Sequence, residues 1–200
     1  RASKVSDISS INIGSTAVSA APKAKNIGCT IDTNPSMEAQ VNTVVQSCYA
    51  SLHTIAKIRS FITTDTAATL VNAQITSKLD SFNAILYGIP DYLKHRLQVV
   101  QNNAVRVVIG TRSKDHISPV LKELHWLPVD FRIDYKIISL CVKALNQLAP
   151  QYLTDLLIPY KKDRTLRSAS KAILDKPKTK GKKYGDRAFA YAAPTLWNKL

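Results

Sequence analysis

The sequence predicts a mainly α protein, a helical bundle with a small N-terminal β element and an extended basic C-terminal segment. Apolar residues recur at helical spacing in successive stretches between Val41 and Leu148. Breaks rich in proline and glycine separate those stretches, and two-residue alternation is confined to the first 32 residues. With 200 residues, 45% of them hydrophobic, the chain is long enough to bury a core.

From Ile8 to Ile13 apolar and small polar residues alternate, Gly14-Ser15 supplies a turn and Ala17-Val18 returns, which predicts a hairpin. After Pro22 the stretch Asn26 to Asp32 alternates again, with Ile27, Cys29 and Ile31 on one face. Residues 1–33 therefore read as the β-rich end of a sheet. Asn34 is an N-cap with Pro35 at the first helical position, and Val41, Val44, Val45, Cys48, Leu52 and Ile55 carry a helix to about Arg59. Thr63 and Thr64 cap a second helix, with Asp65 in its first turn and Leu70, Val71, Ile75 and Leu79 on its apolar face, and Gly88-Ile89-Pro90 ends the run. A third helix runs from Asp91 to Ile109, with Leu93, Leu97, Val100, Ala104 and Val108 inward and Gly110 as its stop. Short loops between these helices make residues 34–110 a bundle.

Residues 111–160 continue as helix. Ser118-Pro119 opens a short one that Pro128 closes. Val129 to Leu148 is longer, with Phe131, Tyr135, Ile138, Val142 and Leu145 as its expected core face, and Pro150 starts a further short helix ending at Pro159. Residues 161–200 change character, because Lys, Ser, Thr, Pro and Gly dominate from Lys161 to Gly185 and predict an extended segment. The last apolar cluster, Phe189, Tyr191, Leu196 and Trp197, is expected to dock on the bundle or to pair with residues beyond Leu200. A chain that begins at Arg1 and stops just after an apolar turn reads as a piece of a longer polypeptide.

Twenty-eight Lys and Arg against fourteen Asp and Glu give a net charge of +14 and a pI near 9.8, which favours a polyanionic partner such as nucleic acid or an anionic membrane surface. The charge is uneven. Residues 161–200 hold twelve of the basic groups and three of the acids, a net +9. Lys94, Arg96, Arg106 and Arg112, along and just after the third helix, are candidate phosphate contacts, with a solvated face as the competing reading. Lys176, Lys178, Lys180, Lys182, Lys183 and Arg187 are candidates in the C-terminal segment, where proline and glycine keep the cations out of helix and Tyr184 stands beside them. A solubilising tail or a localisation signal competes there.

No catalytic constellation is legible. The six glycines fit neither GxxxxGK[ST] nor GxGxxG, and no GxSxG elbow is present. Asp130 and Asp134 share a helix face at i, i+4, an arrangement that serves a divalent metal or complements the helix dipole. His53, His95, His116 and His125 are dispersed. His125-Trp126 reads as a packed corner, with stacking on a nucleobase as the alternative. Cys29, Cys48 and Cys141, an odd number without a close pair, argue against a disulfide framework or a zinc site and for a reducing intracellular compartment. No catalytic residue, metal ligand or cofactor is therefore assigned to this chain.

Specific strings can be read in order: Ala56-Lys57-Ile58-Arg59, Leu70-Val71-Asn72-Ala73, Thr76-Ser77-Lys78-Leu79-Asp80 and Leu86-Tyr87-Gly88-Ile89-Pro90. Leu97-Gln98-Val99-Val100-Gln101-Asn102-Asn103-Ala104-Val105-Arg106, Gly110-Thr111-Arg112, Asp115-His116-Ile117-Ser118-Pro119-Val120-Leu121 and Leu124-His125-Trp126-Leu127-Pro128 follow. Arg132-Ile133-Asp134-Tyr135-Lys136-Ile137, Leu148-Ala149-Pro150-Gln151-Tyr152-Leu153 and Tyr184-Gly185-Asp186-Arg187-Ala188-Phe189 complete the set. From about Lys25 to Leu200 the chain resembles the C-terminal part of the reverse transcriptases of non-LTR (LINE-type) retrotransposons of the CR1, L2 and jockey-like groups. The resemblance implies the last palm strands at Ile11 to Asp32, then a helical, thumb-like bundle and the region after it. It also implies an RNA template and its DNA product as partners, along with the palm and fingers of the same polypeptide, and a nuclear rather than cytoplasmic site of action. In that family the magnesium-binding aspartates lie upstream in an aromatic-Ala-Asp-Asp motif, and this chain has no adjacent acidic pair. The fragment is thus expected to bind nucleic acid and to be inactive as a polymerase alone. A free-standing basic helical adaptor without enzymatic activity is the alternative, and no membrane partner is expected.

Overall fold

The computed structural model describes residues 10–32, 36–110, 116–160, 173–179, 181 and 184–200. The fold is mainly α with small N-terminal hairpins, in two compact units, Arg1–Thr43 and Val44–Leu200.

In the first unit β1 (Ser10–Ile13) pairs antiparallel with β2 (Thr16–Ser19), and β3 (Lys23–Asn26) with β4 (Cys29–Asp32). They form two separate two-stranded ladders. The second corrects the expectation of one alternating strand through Asn26 to Asp32. Ile27 and Gly28 both take positive φ, 48° and 86°, as the two central residues of a tight hairpin turn. Ile27 therefore lies at a turn tip and is 84% exposed, while Cys29 is buried. Gln40 accepts from the Thr30 N–H at 2.8 Å through its Oε1, and the Ser36 hydroxyl accepts from the Glu38 N–H at 3.2 Å, where α1 (Glu38–Ile58) begins. The cap expected at Asn34-Pro35 lies outside the described residues.

The second unit holds the rest of α1 and all later elements. Its core is built from Cys48, Leu52 and Ile55 of α1 and from Ala67 and Val71 of α2 (Thr64–Val71). Leu93, Leu97, Val100, Ala104, Val105 and Val108 of α4 (Asp91–Ile109) complete it. Thr63 caps α2 by accepting from the Thr66 N–H at 3.2 Å. One π turn, Asn72–Thr76, joins α2 to α3 (Ser77–Asp80), so the expected helix through Leu79 is present with a local bulge. Pro90 precedes α4, Asp91 occupies its first turn, and Gly110 ends it at φ 69° with its N–H on the Arg106 carbonyl at 2.9 Å. Arg59 closes the same end, with Nε and Nη2 donating to the Val108 carbonyl at 3.2 and 2.8 Å, a cation on the negative pole of the helix.

After α5 (Ser118–Glu123), with Pro119 in its first turn, His125 takes φ 55° and Trp126 donates its N–H to the Leu121 carbonyl at 2.8 Å. This turn folds the Trp126 ring inward, and the residue is 9% exposed. In α6 (Val129–Leu145) the buried face consists of Val129, Ile133, Ile137, Cys141 and Ala144. That corrects the expected face. Phe131, Tyr135, Val142 and Leu145 are exposed instead. After α7 (Gln151–Thr154), α8 (Phe189–Trp197) packs on α6 and buries Ala192, Ala193, Pro194 and Leu196, so the last apolar cluster docks on the bundle. The buried face of α6 is thus the one that carries the smaller residues Cys141 and Ala144, and the bulkier stripe is left outward.

Candidate nucleic-acid interface

Long-range polar contacts join strings that stand far apart in the chain. Arg132 Nη1 meets Asp80 Oδ2 at 2.8 Å and its Nε donates to the Leu127 carbonyl at 2.7 Å. Gln98 Oε1 accepts from the Val129 N–H at 2.9 Å and so caps α6. Gln101, 2% exposed, donates to the Leu127 carbonyl at 2.8 Å. Arg187 Nε donates to the Tyr87 carbonyl at 3.0 Å and Nη2 to that of Ile85 at 3.3 Å. Neither Gln98 nor Gln101 was singled out from the sequence. Gln101, an amide among Leu97, Val100, Ala104, Val105 and Val108 on the buried face of α4, was the available signal, whereas Gln98 stands beside Lys94 and Asn102 and carries none.

The candidate cations fall into three sets. Lys94 and Arg187, with Lys199, line a cleft of about 570 Å³ that also takes in Asp130, Asp134, Asp186, Tyr87 and Tyr191. Lys94 bridges Asp91 at 2.8 Å and Asp130 at 3.4 Å, and its hydrogen bond to Asp91 raises its pKa. Burial, and then the neighbouring Asp130, push the Asp134 carboxyl up. Lys176 stands 4.2 Å from the centroid of the Tyr191 ring, beside the same cleft, and Lys178 is exposed further along. Arg96 and Arg106 lie elsewhere on α4, both half-buried, with Arg106 Nη1 on Asn103 Oδ1 at 3.2 Å. Arg112, Lys180, Lys182 and Lys183 lie outside the described residues.

The cleft is thus of mixed sign. Lys94 is held by carboxylates and Arg187 by carbonyls, Lys176 beside the cleft stands over a ring, and Asp130 is tied to Lys94. Among the described residues no group of three or more His, Cys, Asp or Glu side chains gathers as a metal would need. No described helix is long and apolar enough to cross a membrane. The three cysteines are free and buried, and burial pushes the Cys48 and Cys141 thiols up to about 11. Lys122, Lys136 and Lys143, which the sequence reading passed over, are exposed on α5 and α6. No family model, curated protein or solved structure matches this chain.

Proposed function

We propose that this chain is the C-terminal part of the reverse transcriptase of a non-LTR retrotransposon, and that it contributes grip on the RNA template and DNA product without carrying the chemistry. The observation that carries the reading is the ordered series of strings from about Lys25 to Leu200. Two features support it. Partners in the long-range contacts come from different strings of that series: Asp80 with Arg132, Gln98 with Val129 just after the Leu124–Pro128 string, and Tyr87 with Arg187. A net charge of +14 supplies the sequence-independent attraction that a polymerase grip requires. Action in the nucleus belongs to the same proposal.

The test is fluorescence anisotropy of the purified chain with a labelled RNA–DNA hybrid and with single strands across a salt series. If about six cations contact a single strand, log K against log salt has a slope of roughly −4, at about −0.7 per contact. Changing Lys176, Lys178, Lys180, Lys182 and Lys183 to Ser flattens that slope for all sequences alike. An unchanged slope moves the grip to Lys94, Arg96, Arg106 and Arg112, and no measurable binding at low salt overturns the proposal. Templated nucleotide incorporation by the chain with magnesium overturns its second half, because two-metal phosphoryl transfer needs clustered carboxylates.

A further inference from the structure

Arg132, Tyr135 and Lys136 stand at i, i+3 and i+4 on α6 and therefore share one face of that helix. Together they line a hollow of about 270 Å³ that Asp80 closes from the end of α3, Asn83 from the turn after it, and His125 and Leu127 from the bend before α6. Arg132 is the fixed point. Its side chain is 15% exposed, with Nη1 on Asp80 Oδ2 at 2.8 Å and Nε on the Leu127 carbonyl at 2.7 Å. Its Nη2 meets no acceptor among the described residues and is not buried. Lys136, Tyr135 and His125 are exposed, and their side chains make no hydrogen bond or ion pair among the described residues.

The acceptors around the hollow are spent. Asp80 Oδ2 is on Arg132, its Oδ1 accepts from Asn83 Nδ2 at 3.5 Å, and the Leu127 carbonyl takes bonds from both Arg132 and Gln101. Asn83 Oδ1 has no partner but is buried out of reach of solvent. What remains open is a set of donors: Arg132 Nη2, the Lys136 ammonium, the Tyr135 hydroxyl and a His125 ring N–H. Arg132 and Lys136 against Asp80 leave this lining with a positive charge to spare.

We propose, resting on the function given above, that this hollow seats a backbone phosphate of the nucleic-acid strand. It gives the grip a point of contact on the bundle that shares no lining residue with the Lys94 cleft. Phosphate oxygens are acceptors, and a guanidinium already locked by two partners loses little further freedom in meeting them. The hollow is smaller than the roughly 300–1,000 Å³ that encloses a whole small ligand, which suits one phosphate of a strand crossing the surface. The net charge of +14 favours a polyanion over an isolated carboxylate.

The probe is a short fluorescein-labelled single-stranded RNA, titrated against the full chain by anisotropy across a salt series. Lys136→Gln reduces the magnitude of the slope of log K against log salt by about 0.7, the share of one phosphate contact, and Lys136→Glu weakens binding about tenfold or more. Both keep the parent melting temperature, because the ammonium has no partner among the described residues. Arg132 is left in place, since its Nε and Nη1 hold the fold. His125→Gly, which takes φ 55° without strain, weakens binding at an unchanged melting temperature. A strand with uncharged methylphosphonate linkages binds the parent and Lys136→Gln alike. If the parent binds RNA and Lys136→Gln and His125→Gly keep its affinity and slope, the hollow is not a phosphate seat, and the function proposed above stands on the other cations. No binding by the parent at low salt overturns both. A lower melting temperature in Lys136→Gln overturns the proposal by showing the ammonium spent within the protein. Saturable binding of inorganic phosphate in calorimetry that Lys136→Gln removes, with RNA affinity unchanged, assigns the hollow to free phosphate. Loss in that variant of binding to phosphatidylcholine vesicles containing phosphatidylserine, again with RNA affinity unchanged, assigns it to a membrane surface. Either result overturns the nucleic-acid strand as its occupant.

Discussion

Gly88 and Arg187 offer the sharpest quantitative check on how the C-terminal segment is fastened. Gly88 holds φ at +68°, and a Cβ built there lies 2.8 Å from Arg187 Cγ. Gly88→Ala therefore has two costs. The left-handed backbone costs about 1–2 kcal/mol for a residue with a Cβ. Displacing the arginine strains the bonds from Nε to Tyr87 O and from Nη2 to Ile85 O, and charge-assisted bonds contribute about 1.5–3 kcal/mol each when fully formed. Because Arg187 is only half-buried and its chain is flexible, partial loss is the expected outcome. The sum is about 3 kcal/mol, or a fall of order 10 °C in melting temperature at roughly 2–4 °C per kcal/mol. Thermal unfolding followed by circular dichroism on Gly88→Ala, Arg187→Ala and the double variant isolates the contact. With Arg187 removed, Gly88→Ala retains only the backbone cost of about 1–2 kcal/mol, leaving a coupling of at least about 1 kcal/mol. Additive single effects would refute the account, and the glycine would then be explained by its dihedral angle alone.

Trp126→Ala is expected to cost about 3–5 kcal/mol through the cavity it leaves, and a variant with an unchanged melting temperature but weaker nucleic-acid affinity assigns the indole to base stacking instead. Burial raises the Asp134 pKa, so the folded state prefers the protonated carboxyl: this contribution to stability is present below the ordinary carboxylate range and lost as the pH climbs through the raised value. Asp134→Asn should accordingly match the parent at about pH 3 and exceed it in denaturant midpoint at about pH 7; equal midpoints at both would remove the buried-carboxylate argument. The buried thiols of Cys29, Cys48 and Cys141 should resist an aromatic disulfide reagent in buffer and react together on addition of denaturant, and a thiol titrating at once in buffer contradicts the burial described.

Local punctuation made the helical core legible. Thr63, Pro90-Asp91 and Gly110 fix their boundaries by chemistry confined to a turn, and α4 runs from Asp91 to Ile109 as its pattern predicts. The face of α6 was not legible. That helix carries two apolar stripes, and periodicity alone ranks the bulky one, Phe131 to Leu145, above Val129, Ile133, Ile137, Cys141 and Ala144. The deciding fact is packing against elements distant in sequence, α8 among them. The second hairpin was missed for a related reason: a turn with two positive φ values usually announces itself with Asn-Gly, and here Ile27 occupies the first position. At the candidate interface the sequence marked cations but not their neighbours. That Lys94 is bound by Asp91 and Asp130, and Arg187 by two carbonyls, depends on contacts across the fold.

Asn198 ends α8 with its side-chain amide on the backbone of Leu174, accepting from the N–H at 3.0 Å and donating to the carbonyl at 2.9 Å. Leu174 in turn forms a bridge with Pro159, where Tyr160 donates to the Ile173 carbonyl at 3.0 Å and Asp175 to that of Ile158 at 2.7 Å. The polypeptide therefore leaves this ladder at Tyr160 and rejoins it at Ile173, so the two described stretches are fastened to each other directly. A protease cut between Tyr160 and Ile173 should not detach the remainder. The piece from Ile173 onward, held by the ladder, by Arg187 and by the buried face of α8, should stay associated as a complementing fragment. Its release would be governed by dilution and denaturant rather than by cleavage, and a covalent link across the Pro159–Leu174 junction would raise stability through the entropy of the severed state.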